Sequence, residues 1–277
     1  MRIALDAMGG DGAPASTVEG AWAYAAQRPE AADEILLIGD KAALRDEVQR
    51  GGGSGDEFEI LHAGEVVEMQ DSAVEALRSK PDSSVAVGVG AVRAGQADIL
   101  VSVGHTGAAV AAATLGLRTL DGVRRPGLAC LPEGEGGHFV LVDVGANIHP
   151  KPEHLLAYGI MGVEVARILL DVPEPRVGLL NVGEEAGKGN TLAKETHDLF
   201  GAAPVRFIGN VEGTGLFRGA ADVVVCEGFM GNVLLKTTEG LANQLVDTFA
   251  RLVAEHAPES ADAVMRALRD WSDVATY

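Results

Sequence analysis

The sequence has few cysteines and few aromatic residues, and each shortage narrows what the protein can be. Its two cysteines, Cys130 and Cys226, are far apart and predict reduced cytosolic thiols rather than a disulfide framework. Aromatic residues are 4% of the chain against 47% hydrophobic residues, which predicts a large aliphatic core. No apolar run reaches the length of a membrane span, and the N-terminal run is too short for a signal peptide.

Basic residues are also scarce. The chain has 22 lysines and arginines against 40 acidic residues, a net charge of −18. Nucleic-acid binders present a basic face, so the charge argues against that class, and an acidic partner would need a local basic patch. Only six of the basic residues are lysines, and two of them, Lys188 and Lys236, lie in or just after glycine-rich stretches.

Several common catalytic motifs are missing as well. The sequence has no G-x-S-x-G, which argues against a serine hydrolase elbow, and no H-x-x-x-H or H-E-x-x-H. Its glycine loops match neither the P-loop spacing nor the dinucleotide-binding fingerprint. We therefore expect an activity that uses no metal and no cofactor.

What the sequence does contain is a repeated unit of strand, polar residue, glycine loop and helix. Apolar runs predict strands at 3–5, 35–38, 58–61, 99–103, 128–131, 139–142, 177–180, 205–208 and 222–226. Helices are predicted between them, including 40–50 capped by Asp40, a helix after 232 that ends near 254, and a polar helix at 259–271. This alternation predicts an α/β fold with a mainly parallel sheet and helices on both faces, in a single catalytic domain over 1–277.

The stretch Gly178–Thr191 is the strongest candidate for a ligand site. A buried strand leads into a glycine loop, and Asn190 or Thr191 can cap the following helix. Glycines allow close approach, the first helical N–H groups point outward, and the helix dipole favours an anion. Lys188 adds a cation to this loop.

The repeated unit of strand, polar residue, glycine loop and helix is clearest at six places, namely Asp6, Gly104, Asp143, Asn181, Asn210 and Glu227. In parallel sheets, ligands bind beyond the carboxyl ends of the strands, so we expect these loops to form one shared polar site. Cys226 is either a nucleophile or a buried strand residue, and His105 is either a hydrogen-bonding group of the site or a residue that only holds its loop.

Several longer motifs resemble the bacterial phosphate acyltransferase family of phospholipid synthesis. They are D-A-M-G-G-D at 6–11, G-H-T-G-A at 104–108, L-V-D-V-G-A-N at 141–147, K-P-E-H-L at 151–155, the 178–191 loop, I-G-N-V-E at 208–212 and G-F-M-G-N-V-L-L-K at 228–236. The resemblance implies a fold similar to phosphotransacetylases and to isocitrate and isopropylmalate dehydrogenases. It implies transfer of a fatty acyl group from acyl carrier protein to inorganic phosphate, which forms acyl phosphate for a downstream membrane glycerol-phosphate acyltransferase.

The chemistry suits these residues, because phosphate is itself the nucleophile and must only be positioned against a thioester. The predicted catalytic residues are Lys188, His105, Asn232 and Asp6. The predicted phosphate- or substrate-binding residues are Gly9, Gly10, Asp11, Thr106, Gly107, Asp143, Asn147, Gly187, Gly189, Asn190, Glu212 and Gly231. Asp6, Asp143 and Glu212 are alternatives for orienting a lysine or accepting the phosphate proton.

The resemblance also implies a cytoplasmic homodimer that can associate peripherally with the membrane. Candidate basic pairs for docking the carrier protein are Arg78 with Lys80, Arg124 with Arg125, and Arg266 with Arg269. The family usually has Asn at the position of His105 and Thr at the position of Met230, and its members continue past Tyr277. We therefore expect that 1–277 lacks a C-terminal segment. The alternatives are an isopropylmalate-type dehydrogenase and an inactive fragment.

Overall fold

Parallel strands and helices alternate through most of the computed structural model, which describes residues 1–27, 34–260 and 262–267. The chain divides into two compact units, Met1–Asp121 and Gly122–Tyr277, and each has its own main sheet. The predicted α/β class with parallel strands is confirmed. The single sheet edge predicted for all six polar loops is wrong, since two loops follow strands of the first sheet and four follow strands of the second.

The first unit contains a four-stranded parallel sheet in the order β3-β2-β1-β4. Its elements are β1 (Arg2–Asp6), α1 (Ala15–Gln27), β2 (Glu34–Gly39), α2 (Lys41–Arg50), β3 (Glu59–His62), α3 (Ala73–Ser79), α4 (Ser84–Arg93), β4 (Ile99–Ser102) and α5 (Thr106–Leu117). Leu37 packs with α1 and α2 on one face, while Leu36 and Ile38 pack with α4 on the other. As predicted, Asp40 caps α2 by accepting from Ala42 N and Ala43 N.

The second unit contains a five-stranded sheet in the order β10-β9-β11-β8-β5, and a small hairpin. Its elements are β5 (Ala129–Cys130), β6 (Glu133–Gly134), β7 (Gly137–His138), β8 (Val140–Val142), α6 (Pro152–Leu169), β9 (Arg176–Leu180), α7 (Thr191–Gly201), β10 (Arg206–Val211), α8 (Gly213–Leu216), β11 (Val223–Val225), α9 (Gly228–His256) and a 3-10 turn at Pro258–Ser260. Only the edge strand β5 is antiparallel to its neighbour in the five-stranded sheet.

Alternation along β11 explains the layered core of this unit. Val223 and Val225 pack with α6 and α7, whereas Val224 and Cys226 pack with the residues of the opposite face. Each fully buried valine contributes about 1.5–3 kcal/mol relative to an exposed one. A strand buried on both faces reads as a continuous apolar run, which is why this strand was predictable.

Two predicted boundaries differ from the structure. Residues 228–232 were predicted as loop, but α9 begins at Gly228 because the Glu227 carboxylate caps it. β10 continues to Val211 through a register irregularity near Gly209, where a loop was predicted. The predicted helix at 259–271 lies partly outside the described residues.

Candidate functional site

In the first unit, the buried Asp6 carboxylate ends β1 beside the end of β4. Ser102 Oγ donates to Asp6 Oδ2 at 2.7 Å and accepts from Gly104 N at 3.3 Å. Met8 N makes a longer contact of 3.4 Å with Asp6 Oδ1. Asp6 therefore keeps acceptor capacity, although only 3% of the residue is exposed.

Two glycines bring these strand ends into backbone contact. A Cβ on Gly9 would lie 2.9 Å from Gly104 N and 2.8 Å from Asp6 Oδ2, so no larger residue fits. Next to them is a small cavity of about 10 Å³ with a mixed lining, whose polar members are Asp6, Ser84, Ser102 and His105. That volume is enough for one water molecule and too small for a phosphate. Of the other predicted residues here, Asp11, Thr106 and Gly107 are exposed and Gly10 is half-buried with φ +92°.

His105 serves as the N-cap of α5, and both of its ring nitrogens are occupied. Nδ1 accepts from Ala108 N at 3.2 Å, which requires a neutral ring with its proton on Nε2. Nε2 then donates to the Asp71 carbonyl at 3.1 Å. This geometry favours the role of holding the loop, and direct bonding to a substrate would break one of these contacts.

We expect His105→Asn to retain turnover and His105→Ala to lose about 1 kcal/mol of stability, because Asn caps helices well and Ala does not. Urea unfolding and steady-state turnover of both variants check this. A folded His105→Asn protein with strongly reduced turnover would show that the imidazole itself takes part in the chemistry.

In the second unit, the loop 181–190 between β9 and α7 is held by asparagines. Asn190 is the N-cap of α7 and accepts from Ala193 N at 2.9 Å, as predicted. Asn181 Nδ2 donates to Lys188 O at 3.1 Å, and Asn210 Nδ2 donates to Glu185 O at 2.8 Å. Gly189 has φ +87° and packs against Asn181, where a Cβ would lie 2.5 Å from Oδ1.

The Lys188 side chain is exposed, and its ammonium makes no hydrogen bond or ion pair within the described chain. Gly187 faces open space, with no atom within 4 Å of where a Cβ would be. Packing inside the protein therefore does not require glycine at 187, and the space beside this peptide is open to a ligand.

The buried Asp143 carboxylate organises the loop that follows β8. Its oxygens accept from Leu128 N at 3.1 Å, Gly145 N at 3.0 Å, Ala146 N at 2.8 Å, Asn147 N at 2.8 Å and Asn147 Nδ2 at 3.2 Å. Five bonds exceed the roughly four lone-pair sites of a carboxylate. Asp143 therefore has no free acceptor for a phosphate proton, and its place in the structure is to shape the loop.

Asn147 joins this loop to its surroundings. Its side-chain nitrogen, which carries two hydrogens, lies within hydrogen-bond distance of three acceptors: Pro126 O at 2.7 Å, Tyr158 Oη at 2.8 Å and Asp143 Oδ2 at 3.2 Å. Its backbone carbonyl accepts from Gly228 N at 2.9 Å. The side-chain oxygen is 3.5 Å from Arg125 Nη1. Asn147 is 8% exposed, so its amide is committed to the protein rather than to a ligand.

The first turn of α9 rests directly on the same loop. A Cβ on Gly231 would lie 2.0 Å from Asp143 O, and a Cβ on Gly228 would lie 2.6 Å from Asn147 O. Asn232 donates from Nδ2 to Val144 O at 3.2 Å and is half-buried, so a second N–H of its amide remains available. Glu212 follows β10 as a half-buried N-cap of α8 and makes no side-chain capping bond.

Cys226 is buried, and its Sγ donates to the Asp143 carbonyl at 3.3 Å. Burial, with smaller contributions from Asp143 and Glu227, raises the pKa of the Cys226 thiol far above its ordinary value. A thiol kept protonated in this way is a poor nucleophile, which favours the interpretation of Cys226 as a buried strand residue.

We expect Cys226→Ser to keep most of the wild-type turnover, since serine can donate the same hydrogen bond to Asp143 O. Mass spectrometry of the enzyme during turnover tests the point directly. An acyl group trapped on Cys226, together with an inactive but folded serine variant, would establish a covalent route instead.

Two of the candidate docking pairs contain residues that have partners within the protein. Lys80 Nζ donates to Asp71 Oδ2 at 2.6 Å and to Val66 O at 2.9 Å, and this bond lowers the pKa of the Asp71 carboxyl. Arg124 lies 3.9 Å from Glu153 but is largely exposed. Arg269 lies outside the described residues. Lys80 therefore adds little free positive charge to the surface.

The predicted site residues thus fall into two sets. In the first unit, Asp6, Gly9 and His105 meet around one small cavity. In the second, direct contacts join Asp143, Asn147, Gly231 and Asn232, while Lys188 and its neighbours form the loop after β9, the strand that pairs with β11. Sequence reasoning noticed Asn181 and Asn210 as strand-end residues but assigned them no role, and it missed Ser102 and Tyr158. Only the polar residue at a strand end could have pointed to Ser102.

Within 1–27, 34–260 and 262–267, no three histidine, cysteine, aspartate or glutamate side chains are grouped so as to hold a metal ion. None of the helices in these ranges has both the length and the apolar character needed to cross a membrane.

The fold is that of the phosphotransacetylases. A phosphotransacetylase from Streptococcus pyogenes superposes with a TM-score of 0.63 at 19% identity, covering 87% of this chain and 82% of that structure. A phosphotransacetylase from Staphylococcus aureus gives 0.58 at 17% identity, covering 88% and 82%. At these identities the likeness establishes the fold alone.

The family follows from the sequence comparisons. The model of the family described as "Fatty acid synthesis protein" matches residues 1–270. The phosphate acyltransferase of Desulforudis audaxviator is 48% identical over 254 residues, 92% of this chain and 74% of that protein. The phosphate acyltransferase of Nitratidesulfovibrio vulgaris is 43% identical over 278 residues, 99% of this chain and 80% of that protein. The chain belongs to this fatty acid synthesis family, and the comparisons favour an acyltransferase over a dehydrogenase.

Proposed function

We propose that the protein transfers a fatty acyl group from acyl carrier protein to inorganic phosphate and forms acyl phosphate. The relatives at 43–49% identity are named phosphate acyltransferase, and the family is one of fatty acid synthesis. The observation that carries the proposal is the 181–190 loop, where an exposed, unneutralised lysine lies beside the N-terminus of α7.

This loop has the features of a phosphate site. The hydrogen bonds of α7 begin at Ala193 N, which donates to the Asn190 side chain, and at Lys194 N, which donates to Asn190 O. The N–H groups of Thr191 and Leu192 come before these and have no partner inside the helix. They point toward the loop at the positive end of the helix dipole, which favours an anion. Lys188 supplies a full charge, and Gly187 leaves room for the ligand to approach the backbone.

In the reaction, a phosphate oxygen attacks the thioester carbonyl carbon. A C–O bond forms and the C–S bond breaks, giving acyl phosphate and the carrier thiol. The proton lost by hydrogen phosphate ends on the departing sulfur, so atoms and charge balance without another reactant. Because phosphate is already anionic and nucleophilic, the protein's contribution is to hold it and to stabilise the tetrahedral oxyanion.

Among the candidate residues, we distinguish groups with hydrogen-bonding capacity left from groups that are fully used within the protein. We assign phosphate binding to Lys188 and oxyanion donation to the available N–H of Asn232, because neither group is fully used within the protein. Asp143 and Asn147 shape the loop on which Asn232 rests. Asp143 has no acceptor left for a phosphate proton, whereas the Asp6 carboxylate of the first unit keeps acceptor capacity.

The test is incubation with acyl carrier protein thioester, with and without inorganic phosphate, while thiol release is measured. Thiol release that requires phosphate, together with detection of acyl phosphate, is the expected result. Release that is independent of phosphate would mean a thioesterase. Reduction of NAD with a hydroxy acid, without thiol release, would support the dehydrogenase alternative. If the protein shows neither activity, the inactive-fragment alternative is supported.

The partners beyond phosphate are part of the same proposal. The acidic carrier protein would dock near Arg124 and Arg125, which have weaker partners than Lys80. We further propose a homodimer that acts in the cytoplasm or at the membrane surface and passes acyl phosphate to a membrane glycerol-phosphate acyltransferase. The acyl phosphate product, an activated mixed anhydride, requires a consuming step of this acyl-transfer class.

A further inference from the structure

Two buried asparagines fix the peptide groups at the two ends of the 185–188 turn, in which Lys188 N donates to Glu185 O. Asn210, at the end of β10, donates to Glu185 O at 2.8 Å, and Asn181, just after β9, donates to Lys188 O at 3.1 Å. Glu185 O also accepts from Lys188 N at 3.0 Å. Both carbonyls are thereby held toward the strand ends.

The direction of these carbonyls determines where the next N–H groups point. In a planar trans peptide, the C=O of one residue is directed opposite to the N–H of the following residue. With Glu185 O and Lys188 O held by the asparagines, the N–H groups of Ala186 and Gly189 must point away from them. Neither N–H donates a hydrogen bond within the described chain.

The burial of the two asparagines indicates that their role is to orient the loop carbonyls rather than to stabilise the core. Asn181 is 8% exposed and Asn210 is 6% exposed, and each lies next to a buried apolar strand residue, Leu180 or Val211. Burying an amide costs free energy unless all its groups are bonded. Asn210 Oδ1 is buried without a partner in the described chain, so an apolar side chain would serve the core at least as well.

We propose that Asn181 and Asn210 are positioning residues that aim the Ala186 and Gly189 N–H groups at the phosphate bound by Lys188. The two N–H groups and the Lys188 ammonium together make a binding site for inorganic phosphate. Gly189 is part of this arrangement, because its positive φ and its contact with Asn181 allow the loop to close onto the asparagine. The inference rests on the proposed function of the loop.

The first test replaces Asn210 by leucine, which has nearly the same shape and adds no buried charge. The Michaelis constant for phosphate should rise by about tenfold, as for misaligning a charge-assisted hydrogen bond, while that for the acyl carrier substrate stays unchanged. Thr196→Val is the matched control, since it also removes a buried polar atom without a partner, on α7, but does not touch the loop. An unchanged phosphate constant in folded Asn210→Leu overturns the inference.

The second test uses the wild-type chain, so it does not depend on a variant folding. Phosphate titration followed by amide NMR should shift the Ala186 and Gly189 N–H signals and slow their exchange. Shifts confined to other loops would place phosphate elsewhere and overturn the inference. These failures are distinct from failure of the proposed function, which would show as no phosphate-dependent thiol release in the wild type.

Discussion

Replacing Lys188 by alanine is expected to lower phosphate-dependent turnover by about a hundredfold or more, as for losing a charged contact to the transition state. The ammonium is exposed and has no partner in the described chain, so its removal breaks no bond of the folded state. The melting temperature should therefore stay at the wild-type value while turnover falls. Steady-state kinetics at saturating and limiting phosphate, with thermal unfolding of the same samples, measure both.

Lys194→Ala is the control for this change. Lys194 is exposed, lies on α7 six residues further on, and its loss alters the net charge by the same amount. If the effect of Lys188 came from the general field around the loop, both variants would lose similar activity. A Lys188→Ala protein that turns over like the wild type would remove this lysine from the mechanism.

Local signals predicted the strand, the loop and the helix cap around residues 181–190 well. The apolar run of β9, the glycines after it and the capping role of Asn190 all depend on residues within fifteen positions of one another. A helix cap needs only the side chain and the N–H three residues later, so sequence is sufficient to find it. Asp40 was found for the same reason.

Features that depend on distant segments were not predictable in this way. Glycines at 228 and 231 indicated a loop, yet they lie in α9, where the absence of a side chain lets the Asp143–Asn147 backbone pack closely against the helix. The sequence also leaves Asp143 as a candidate proton acceptor, because the five donors that fill its carboxylate are visible only in the folded structure. Likewise, repeated strand and loop units do not reveal whether the strands join one sheet or two, because pairing is a tertiary property.

Gly231→Ala is expected to be the most destabilising single change in α9, costing about 3 kcal/mol, at the upper end of the usual cost of overpacking. The added Cβ would lie 2.0 Å from Asp143 O and 2.9 Å from Cys226 Sγ. No side-chain rotation can relieve a clash with a backbone carbonyl, so the helix or the loop must move. Movement of the loop would disturb the hydrogen bonds to the Asp143 carboxylate, and urea unfolding should show a large fall in the midpoint.

Gly240→Ala tests whether this cost comes from the contact or from the helix. It is the same chemical change in the same helix, but at a site with no atom within 4 Å of the new Cβ. Alanine there should raise stability by about 0.5–1 kcal/mol, because it lowers the conformational entropy of the unfolded chain. If the two variants shift the midpoint alike, the packing of Gly231 against Asp143 does not determine the stability of this part of the chain. A strong loss only at 231 would show that the first turn of α9 and the Asp143 loop form one tightly packed element, on which the position of Asn232 depends.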